Sequence, residues 1–380
     1  YANGERKELL AVAGARLWQP RYSPSGHIVF RRTPTSSGIW GLPFSLQTLS
    51  VTGEPFLVEA EAAEPCPASD GTLAFRHGGE SGQYQLAWVD RSGRMLAPIS
   101  DVGGRIGQPA ISPDGKRVAA AVEEGDNLDV WVFDLDRGTR TRLTFDPGSD
   151  VRPTWTPDGS TVVYLNTARS AIMSRAADGT GVEQFQCRGY VPAMSPDGRF
   201  VVFEEDGVDT KSDILMRPFP VDTSIAAVSV VASMSSETSP VVSPDGQHVA
   251  YTSDESGRWE VYLARFPSGE GKWQVSTSGG TWPAWNRRGT RLYYQFNNML
   301  YEVDVDARSG LSLGRPHTLF RADSLGINLN PTSNFDVADG DRFVVNHSAG
   351  DEKGRQMLRI RVVQNWFEEF KENQASARKD

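Results

Sequence analysis

Short runs of β-branched and aromatic residues recur along the whole chain, and each is bounded by polar turn residues. Residues 28–30, 162–164 and 249–251 are examples, and they are too brief to form helices. A second type of run, in which apolar and polar positions alternate, follows after a polar loop, as in residues 128–133. The pattern therefore predicts short strands throughout the chain, with neighbouring strands joined by tight turns.

One turn recurs between the first two strands of each unit. It reads Ser-Pro-Asp-Gly at residues 112–115, and eight versions occur, with successive glycines 45, 44, 44, 39, 48, 43 and 51 residues apart. Proline sets φ to about −65°, aspartate bonds the local backbone and glycine accepts a positive φ, so this composition suits a tight turn. Such a period is typical of propeller blades, whereas helical repeats are about 33–34 residues long. The eight turn glycines are Gly26, Gly71, Gly115, Gly159, Gly198, Gly246, Gly289 and Gly340.

Four short strands per repeat predict an all-β fold, an eight-bladed β-propeller of four-stranded antiparallel blades, with seven blades as the alternative. We expect one domain over residues 1–364, and a short C-terminal helix and tail over 365–380 with Asn365 as the N-cap residue. The last unit lacks a fourth strand, so residues 8–14 are expected to close the ring by pairing with 357–363. The predicted blades begin near residues 18, 64, 108, 152, 191, 239, 282 and 333.

Charge and composition narrow the class of protein. Lys and Arg number 39 against 48 Asp and Glu, and the resulting net charge of −9 makes a nucleic-acid ligand unfavourable. Hydrophobic residues make up 38% of the chain, which suits a folded protein. No apolar run approaches the roughly 18 residues of a membrane span, and two cysteines, Cys66 and Cys187, are too few for a disulfide framework. We expect a monomer with no nucleic-acid ligand and no membrane insertion by this segment.

The usual catalytic patterns are absent from the sequence. It holds no Gly-x-Ser-x-Gly elbow, and its five histidines have no metal-ligand spacing. The acidic runs at residues 123–126, 204–206 and 254–255 lack the spacing of a calcium loop, and we interpret them as solvated loop charge. We expect no catalytic residues and no cofactor, with a weak calcium site as the minor alternative.

The candidate binding residues follow from propeller geometry. Loops that enter the inner strands share one face of a propeller with the loops after the second strands, around the central channel. Mixed charge with aromatic anchors on this face suits a protein, peptide or glycan ligand. The turn residues, in contrast, recur in every blade and are interpreted as structural. The predicted ligand-binding residues are Trp18, Arg105, Asp150, Arg152, Tyr190, Glu237 and Trp282.

Two stretches carry a family resemblance. The sequence Pro-Thr-Trp-Thr-Pro-Asp-Gly at residues 153–159, with Arg-Leu-Thr at 142–144 before it, resembles the repeats of the TolB-type (WD40-like, PD40) β-propellers of bacteria. Residues 129–135, 271–276 and 363–369 are similar to the C-terminal propellers of membrane-anchored bacterial serine/threonine protein kinases. Kinase signatures themselves, such as His-Arg-Asp and Asp-Phe-Gly, are absent from this chain.

The resemblance implies a function and a location. It implies a non-catalytic propeller that binds a ligand or a protein, as the sensor domain of a bacterial transmembrane serine/threonine kinase or as a stand-alone relative. The expected location is extracytoplasmic, in the periplasm or at the cell surface. Two alternatives stay open: a TolB-like metal-dependent lyase or hydrolase with its site in the central channel, and a scaffold protein of the cell envelope.

Overall fold

The computed structural model is all-β, as the sequence predicted. Eight antiparallel sheets are present in the described residues, together with one short 3-10 turn at Asp323–Leu325. Each of the eight glycine turns joins the first two strands of one sheet. None of the described helical residues forms a segment long and apolar enough to cross a bilayer. The described residues are 8–12, 16–33, 38–60, 62–77, 84–101, 103–124, 127–207, 210–308, 310–329, 334–348 and 359–368.

The chain divides into two compact units, whereas the sequence predicted one domain. The first unit is Tyr1–Gly82 with Asp351–Asp380, and the second is Gln83–Gly350, so the second is inserted into the first. The turn pattern is the same in both units, which explains why the sequence pattern did not separate them.

The second unit contains six sheets, named here blades 1 to 6. Blade 1 consists of Ile106–Ile111, Arg117–Glu124, Asn127–Asp134 and Thr139–Arg142. Blade 2 consists of Asp150–Trp155, Thr161–Asn166, Ala171–Ala176 and Gln184–Arg188. Blade 3 consists of Tyr190–Met194, Phe200–Asp206, Ser212–Pro218 and Val228–Val231. Blade 4 consists of Glu237–Val242, His248–Ser253, Glu260–Arg265 and Trp273–Gln274.

The last two blades depart from the simple order. Blade 5 consists of Thr281–Trp285, Arg291–Phe296, Met299–Asp306 and His317–Arg321, with Ser312–Leu313 paired to the end of the third strand. Blade 6 takes Phe335–Val337, Phe343–Ser348 and the short Ile327–Asn328 from the end of the unit, and its outer strands Tyr84–Val89 and Met95–Pro98 from the start.

The six blades form a closed ring. Apolar side chains pack between each blade and the next, and blade 6 packs on blade 1 through Leu86 and Val344 against Ile111 and Val118. The first strands of consecutive blades contact one another, so they line the centre of the ring. The described part of the second unit therefore forms a ring of six blades, rather than the eight or seven predicted.

The predicted closing strand is wrong. Residues 8–12 form no strand, while residues 13 and 14 lie outside the described part of the chain. Arg359–Val363 pairs instead with Leu73–His77, in the first unit. The physical reason is that residues 84–98 already supply the outer strands of blade 6, so the ring needs no strand from the chain terminus.

The first unit is built from two sheets. One contains Arg16–Ser23, His27–Thr33, Gly38–Ser45, Ser50–Val51 and Phe56–Ala60, and the other contains Ala62–Pro67, Leu73–His77 and Arg359–Val363. Their shared core includes Val29, Ile39 and Phe75, together with Trp366, which is 2% exposed.

The C-terminal segment enters that core. The ring of Trp366 lies 5.3 Å from that of His27 in an edge-to-face arrangement. Asn365 has φ of 49°, and the N–H of Glu368 donates to its carbonyl oxygen at 2.9 Å. The remainder of the predicted helix, from residue 369, lies outside the described residues.

The turn side chains are engaged within the turns, as expected of structural residues. In blade 1 the hydroxyl of Ser112 donates to Asp114 at 2.5 Å and accepts the N–H of Arg117 at 2.9 Å. Gly115 has φ of 71°, a conformation that strains any residue with a Cβ. The same hydroxyl–carboxylate pairs recur at Thr156/Asp158, Ser195/Asp197 and Ser243/Asp245. These residues are therefore not available as a ligand site.

Candidate functional site

Each inner strand of the ring bends at one residue with a left-handed backbone. In blades 1 to 5 this residue immediately precedes a proline, and the strand pairing shifts register there. Non-glycine residues pay a strain of roughly 1–3 kcal/mol in this conformation. We name these six positions the collar: Gln108 (φ 54°), Arg152 (56°), Val191 (43°), Ser239 (54°), Trp282 (57°) and Asn334 (38°).

The bend itself belongs to the repeat. Gln19 and Glu64 in the first unit also precede prolines and have φ of 51° and 58°. The backbone strain is therefore a feature of the blade, and it does not by itself mark a site. The side chains at the collar differ from blade to blade, however, so the collar presents a set of chemical groups that the repeat alone does not dictate.

Two collar residues meet across the ring. The guanidinium carbon of Arg152 lies 4.1 Å from the ring centroid of Trp282, a cation–π contact between the opposite blades 2 and 5. The backbone N–H of Arg152 donates to Oε1 of Gln108 at 2.9 Å. Burial lowers the pKa of Arg152 to about 10, while the charge of Glu204 acts in the other direction. Arg152 thus carries an enclosed positive charge at the centre of the ring.

Glu204 supplies the opposite charge. It lies on the second strand of blade 3, is 9% exposed, and its Oε1 accepts the backbone N–H of Ser239 at 2.6 Å. Burial raises the pKa of Glu204 to about 7, against the lowering effects of the Ser239 N–H and of Arg152. The prediction that residues 204–206 are solvated loop charge is therefore wrong for Glu204, because its side chain is buried and bonds the next blade.

A second carboxylate lies further along the channel. Asp336 occupies the inner-strand position that holds small or apolar residues in the other blades. Its Oδ2 accepts the N–H of Ile111 at 2.6 Å, and its Oδ1 accepts that of Val337 at 2.7 Å. Burial raises the pKa of Asp336 to about 6, and the positive charge of Arg287 opposes that shift. The corresponding residues are Ala110, Thr154, Ala193, Val241 and Ala284.

Arg287 bridges the channel on the side of the glycine turns. It belongs to the turn of blade 5, yet it donates to the carbonyl oxygens of Pro113 and Ser112 in the turn of blade 1, the latter at 2.7 Å. These contacts pass over the intervening blade 6. Arginine side chains therefore link non-adjacent blades at two places, Arg152 at the collar and Arg287 at the turns.

Two of the seven predicted binding residues are thus brought together, namely Arg152 and Trp282. Tyr190 is half-buried and directly precedes the collar residue Val191. Arg105 is exposed, and its backbone N–H donates to Glu123 at 3.0 Å. Trp18 belongs to the first unit, and its side chain lies outside the described part of the chain. A binding role for these residues stays a prediction.

The two predicted acidic residues are buried within their blades. Asp150 is 0% exposed, and its Oδ1 accepts the Nδ2–H of Asn166 at 2.8 Å. Burial raises the pKa of Asp150 to about 7. Glu237 accepts the hydroxyls of Ser233 at 2.6 Å and Ser253 at 3.3 Å, and burial also raises its pKa. Both side chains are therefore engaged by neighbouring residues, and a binding role for them stays a prediction.

Sequence reasoning missed most of the collar. The residues not predicted are Gln108, Val191, Ser239 and Asn334, together with the channel carboxylates Glu204 and Asp336. One signal was present in the sequence, because the residue before each inner-strand proline is the collar residue in blades 1 to 5. No comparable signal marks the two carboxylates, whose place depends on the packing of neighbouring blades.

The described residues show no group of three or more His, Cys, Asp or Glu side chains placed to hold a metal ion. In two of the three acidic runs considered for calcium, a carboxylate pairs with a basic side chain. Glu124 bonds Arg142 at 3.1 Å, and Asp254 bonds Lys211 at 2.8 Å. A calcium site stays a prediction.

Comparisons with known proteins support the propeller assignment. Residues 96–216 match the family model of the TolB beta propeller domain, PD40. An uncharacterized protein of Agrobacterium fabrum is 31% identical over 153 residues, which cover 37% of this chain and 52% of that protein. The Tol-Pal system protein TolB of Francisella tularensis is 26% identical over 208 residues, or 50% of this chain and 45% of that protein. The chain thus spans about half the length of these curated relatives.

A structural comparison agrees with the sequence comparisons. A solved structure assigned as TolB from Agrobacterium tumefaciens has a TM-score of 0.55 and 16% sequence identity, and it covers 71% of this chain and 100% of its own. At this identity the likeness concerns the fold alone. The matched segment, residues 96–216, lies within the ring of blades, and the fold of the ring is that of a TolB-like β-propeller.

Proposed function

We propose that the six-bladed ring is a non-catalytic binding module that takes a protein, peptide or glycan ligand at the collar. The observation that carries this proposal is the contact of Arg152 with Trp282 beside the buried Glu204. An aromatic ring, a guanidinium group and a carboxylate at the centre of a ring form the type of mixed site that orients a ligand. The hydroxyl–carboxylate pairs of the glycine turns, in contrast, are occupied by one another.

The setting of this module is a second part of the proposal. The likeness to kinase-linked propellers supports a role as the sensor domain of a bacterial transmembrane serine/threonine kinase, with the propeller outside the cytoplasm. The name of one relative, a Tol-Pal system protein, also fits an extracytoplasmic setting. The coding sequence upstream of Tyr1 tests the kinase part, and fractionation of the native host tests the location.

A binding screen with matched tryptophan variants tests the collar. Peptide and oligosaccharide collections are screened against the full chain by thermal shift, and any hit is measured again with Trp282→Ala. Trp259→Ala is the control, because Trp259 is 40% exposed and lies in the loop between the second and third strands of blade 4, outside the inner strands that carry the collar. We expect Trp282→Ala to weaken binding at least about tenfold, which corresponds to ~1.4 kcal/mol, and Trp259→Ala to leave it unchanged.

Two results would contradict the proposal. Hits that bind Trp282→Ala and wild type equally would place the ligand elsewhere. Turnover of any substrate by the purified chain would overturn the non-catalytic part and favour a lyase or hydrolase.

A further inference from the structure

We infer that Trp282 and Glu204 form a cation-binding subsite in the collar, that the chain's own Arg152 occupies it, and that a basic side chain of the ligand takes its place. This inference rests on the proposed binding function and names the ligand chemistry, a guanidinium or ammonium group. In the absence of the ligand, the guanidinium group of Arg152 thus occupies the position of the ligand's basic group.

The geometry of the contact differs from that of the other arginine–tryptophan pairs in the ring. Arg117 with Trp155 at 4.7 Å joins adjacent blades, and Arg140 with Trp131 at 5.1 Å lies within one blade. Such pairs follow from the local packing of neighbouring strands. Arg152 and Trp282 come from opposite blades, so their contact at 4.1 Å requires the arginine to reach across the centre of the ring. Local packing does not explain it.

The surroundings of Arg152 favour a cation. Tryptophan has the most strongly attracting ring face for cations within about 6 Å of its centroid. Glu204 is held at the collar by the N–H of Ser239, and its charge favours the protonated guanidinium of Arg152. Burial of the guanidinium costs free energy, which the ring and the carboxylate partly offset. A ligand cation that replaces Arg152 uses the same ring face and carboxylate.

The charge pattern of the channel argues against an anionic ligand group at this point. Glu204 lies beside the collar, and its charge acts on Arg152. An anion that displaced Arg152 would meet this carboxylate in a poorly solvated space, where repulsion between like charges is only weakly screened. A cation would instead be attracted by it.

Removal of Arg152 followed by addition of a soluble cation tests the inference. Binding of Nα-acetyl-arginine amide to the full chain is measured by calorimetry for wild type and for Arg152→Ala. We expect the variant to bind at least about tenfold tighter than wild type, because the subsite is vacated. The neutral isostere Nα-acetyl-citrulline amide should show no such gain. Glu204→Gln or Trp282→Ala, each added to Arg152→Ala, should remove most of the gain.

Arg117→Ala is the matched control. It removes the arginine from a comparable pair with Trp155, in which Arg117 donates to the carbonyl oxygen of Gly159 at 2.7 Å. We expect no gain in arginine-amide affinity there. If Arg152→Ala does not fold, Arg152→Gly replaces it, because glycine accepts the φ of 56° at this position without strain.

The outcomes separate this inference from the proposed function. Equal affinity of wild type and Arg152→Ala for the arginine amide overturns the inference, and so does equal gain for the citrulline amide. Either result leaves the collar screen with Trp282→Ala as an independent test of the binding function. A gain specific to the arginine amide supports the subsite even if no natural ligand has been found.

Discussion

Arg152 contacts the ring of Trp282 at 4.1 Å from the opposite side of the six-bladed ring. This contact requires a closed ring, in which the inner strands of blades 2 and 5 are held at a fixed separation. We therefore expect the interactions that hold blade 6 against its neighbours to support the collar. The residues that close blade 6 are the natural place to test this dependence.

We predict that Arg91→Ala destabilises the ring. Arg91 follows an outer strand of blade 6 and bonds both carboxylate oxygens of Glu302 in blade 5, at 2.6 and 2.7 Å. The Glu302 side chain is 3% exposed, so it would lose its bidentate partner in a buried position. We expect a loss of about 2 kcal/mol in the free energy of unfolding, measured by urea denaturation.

Arg94→Ala is the control for that variant. Arg94 lies three residues further along the same turn and pairs with Asp90 in an exposed ion pair at 3.1 Å. Exposed pairs of this type contribute roughly 0–1 kcal/mol. If Arg94→Ala lowered the free energy of unfolding as much as Arg91→Ala, the ion pair between Arg91 and Glu302 would not be what stabilises the ring.

We predict that Asp150→Asn stabilises the protein above neutral pH. The pKa of Asp150 is raised by burial from 3.8 to about 7, so the folded chain retains a proton that the unfolded chain releases. The free energy of unfolding therefore falls as pH rises from about 4 to about 7, because the buried carboxyl group must ionise. Above pH 7 the whole destabilisation by the ionised Asp150 is present. We expect the variant to exceed wild type by on the order of 2 kcal/mol at pH 8, with little difference at pH 4.

Thermal melts across this pH range measure the effect. Asp158→Asn is the control, because Asp158 is exposed in a glycine turn and the Thr156 hydroxyl lowers its pKa. Because this pKa shift has the opposite sign, Asp158→Asn should not raise the melting temperature at pH 8. A higher melting temperature for wild type than for Asp150→Asn at pH 8 would contradict the prediction.

We predict that residues 84–348 fold as an independent unit. This segment contains every strand of the six blades, including the outer strands of blade 6. A fragment of residues 100–348 lacks those outer strands and leaves the second strand of blade 6 with an unpaired edge. We expect cooperative melting for the longer fragment and aggregation for the shorter one. Equal behaviour of the two fragments would rule out closure by residues 84–98.

We predict that Trp366→Ala selectively destabilises the first unit. Trp366 is almost fully buried between the two sheets of that unit, next to His27 and Phe56. Replacing a buried tryptophan with alanine costs about 3–5 kcal/mol. Calorimetry should show a lower melting temperature for the first unit and an unchanged melting temperature for the ring. Phe145→Ala is the control, because Phe145 is 60% exposed.

The strands and turns were largely predictable from the sequence. Each turn has its own proline, aspartate and glycine chemistry, and each short apolar run follows from local composition. Ring membership was not predictable, because copies such as the turns at Gly71 and Gly115 look alike although they belong to different units. Closure depends on the pairing of Ser348 with Tyr84, a contact between distant segments that no local pattern specifies.

The candidate site was predictable only in part. Arg152 and Trp282 were found because propeller topology places the start of each inner strand near the channel. Glu204 was misjudged because an acidic run is usually solvated, and its burial comes from packing against the next blade through Ser239. Asp150 and Glu237 were placed on the ligand face, and the burial of both side chains was not predicted from the sequence.

The insertion of the ring has a structural consequence. Tyr84 pairs with Ser348 where the ring segment begins and ends, and His77 pairs with Arg359 where the first unit is interrupted. Both junctions are thus adjacent antiparallel partners, the arrangement that permits one folded module to be spliced into a hairpin of another without disturbing either. We therefore expect that the ring could be inserted between two neighbouring antiparallel strands of another protein.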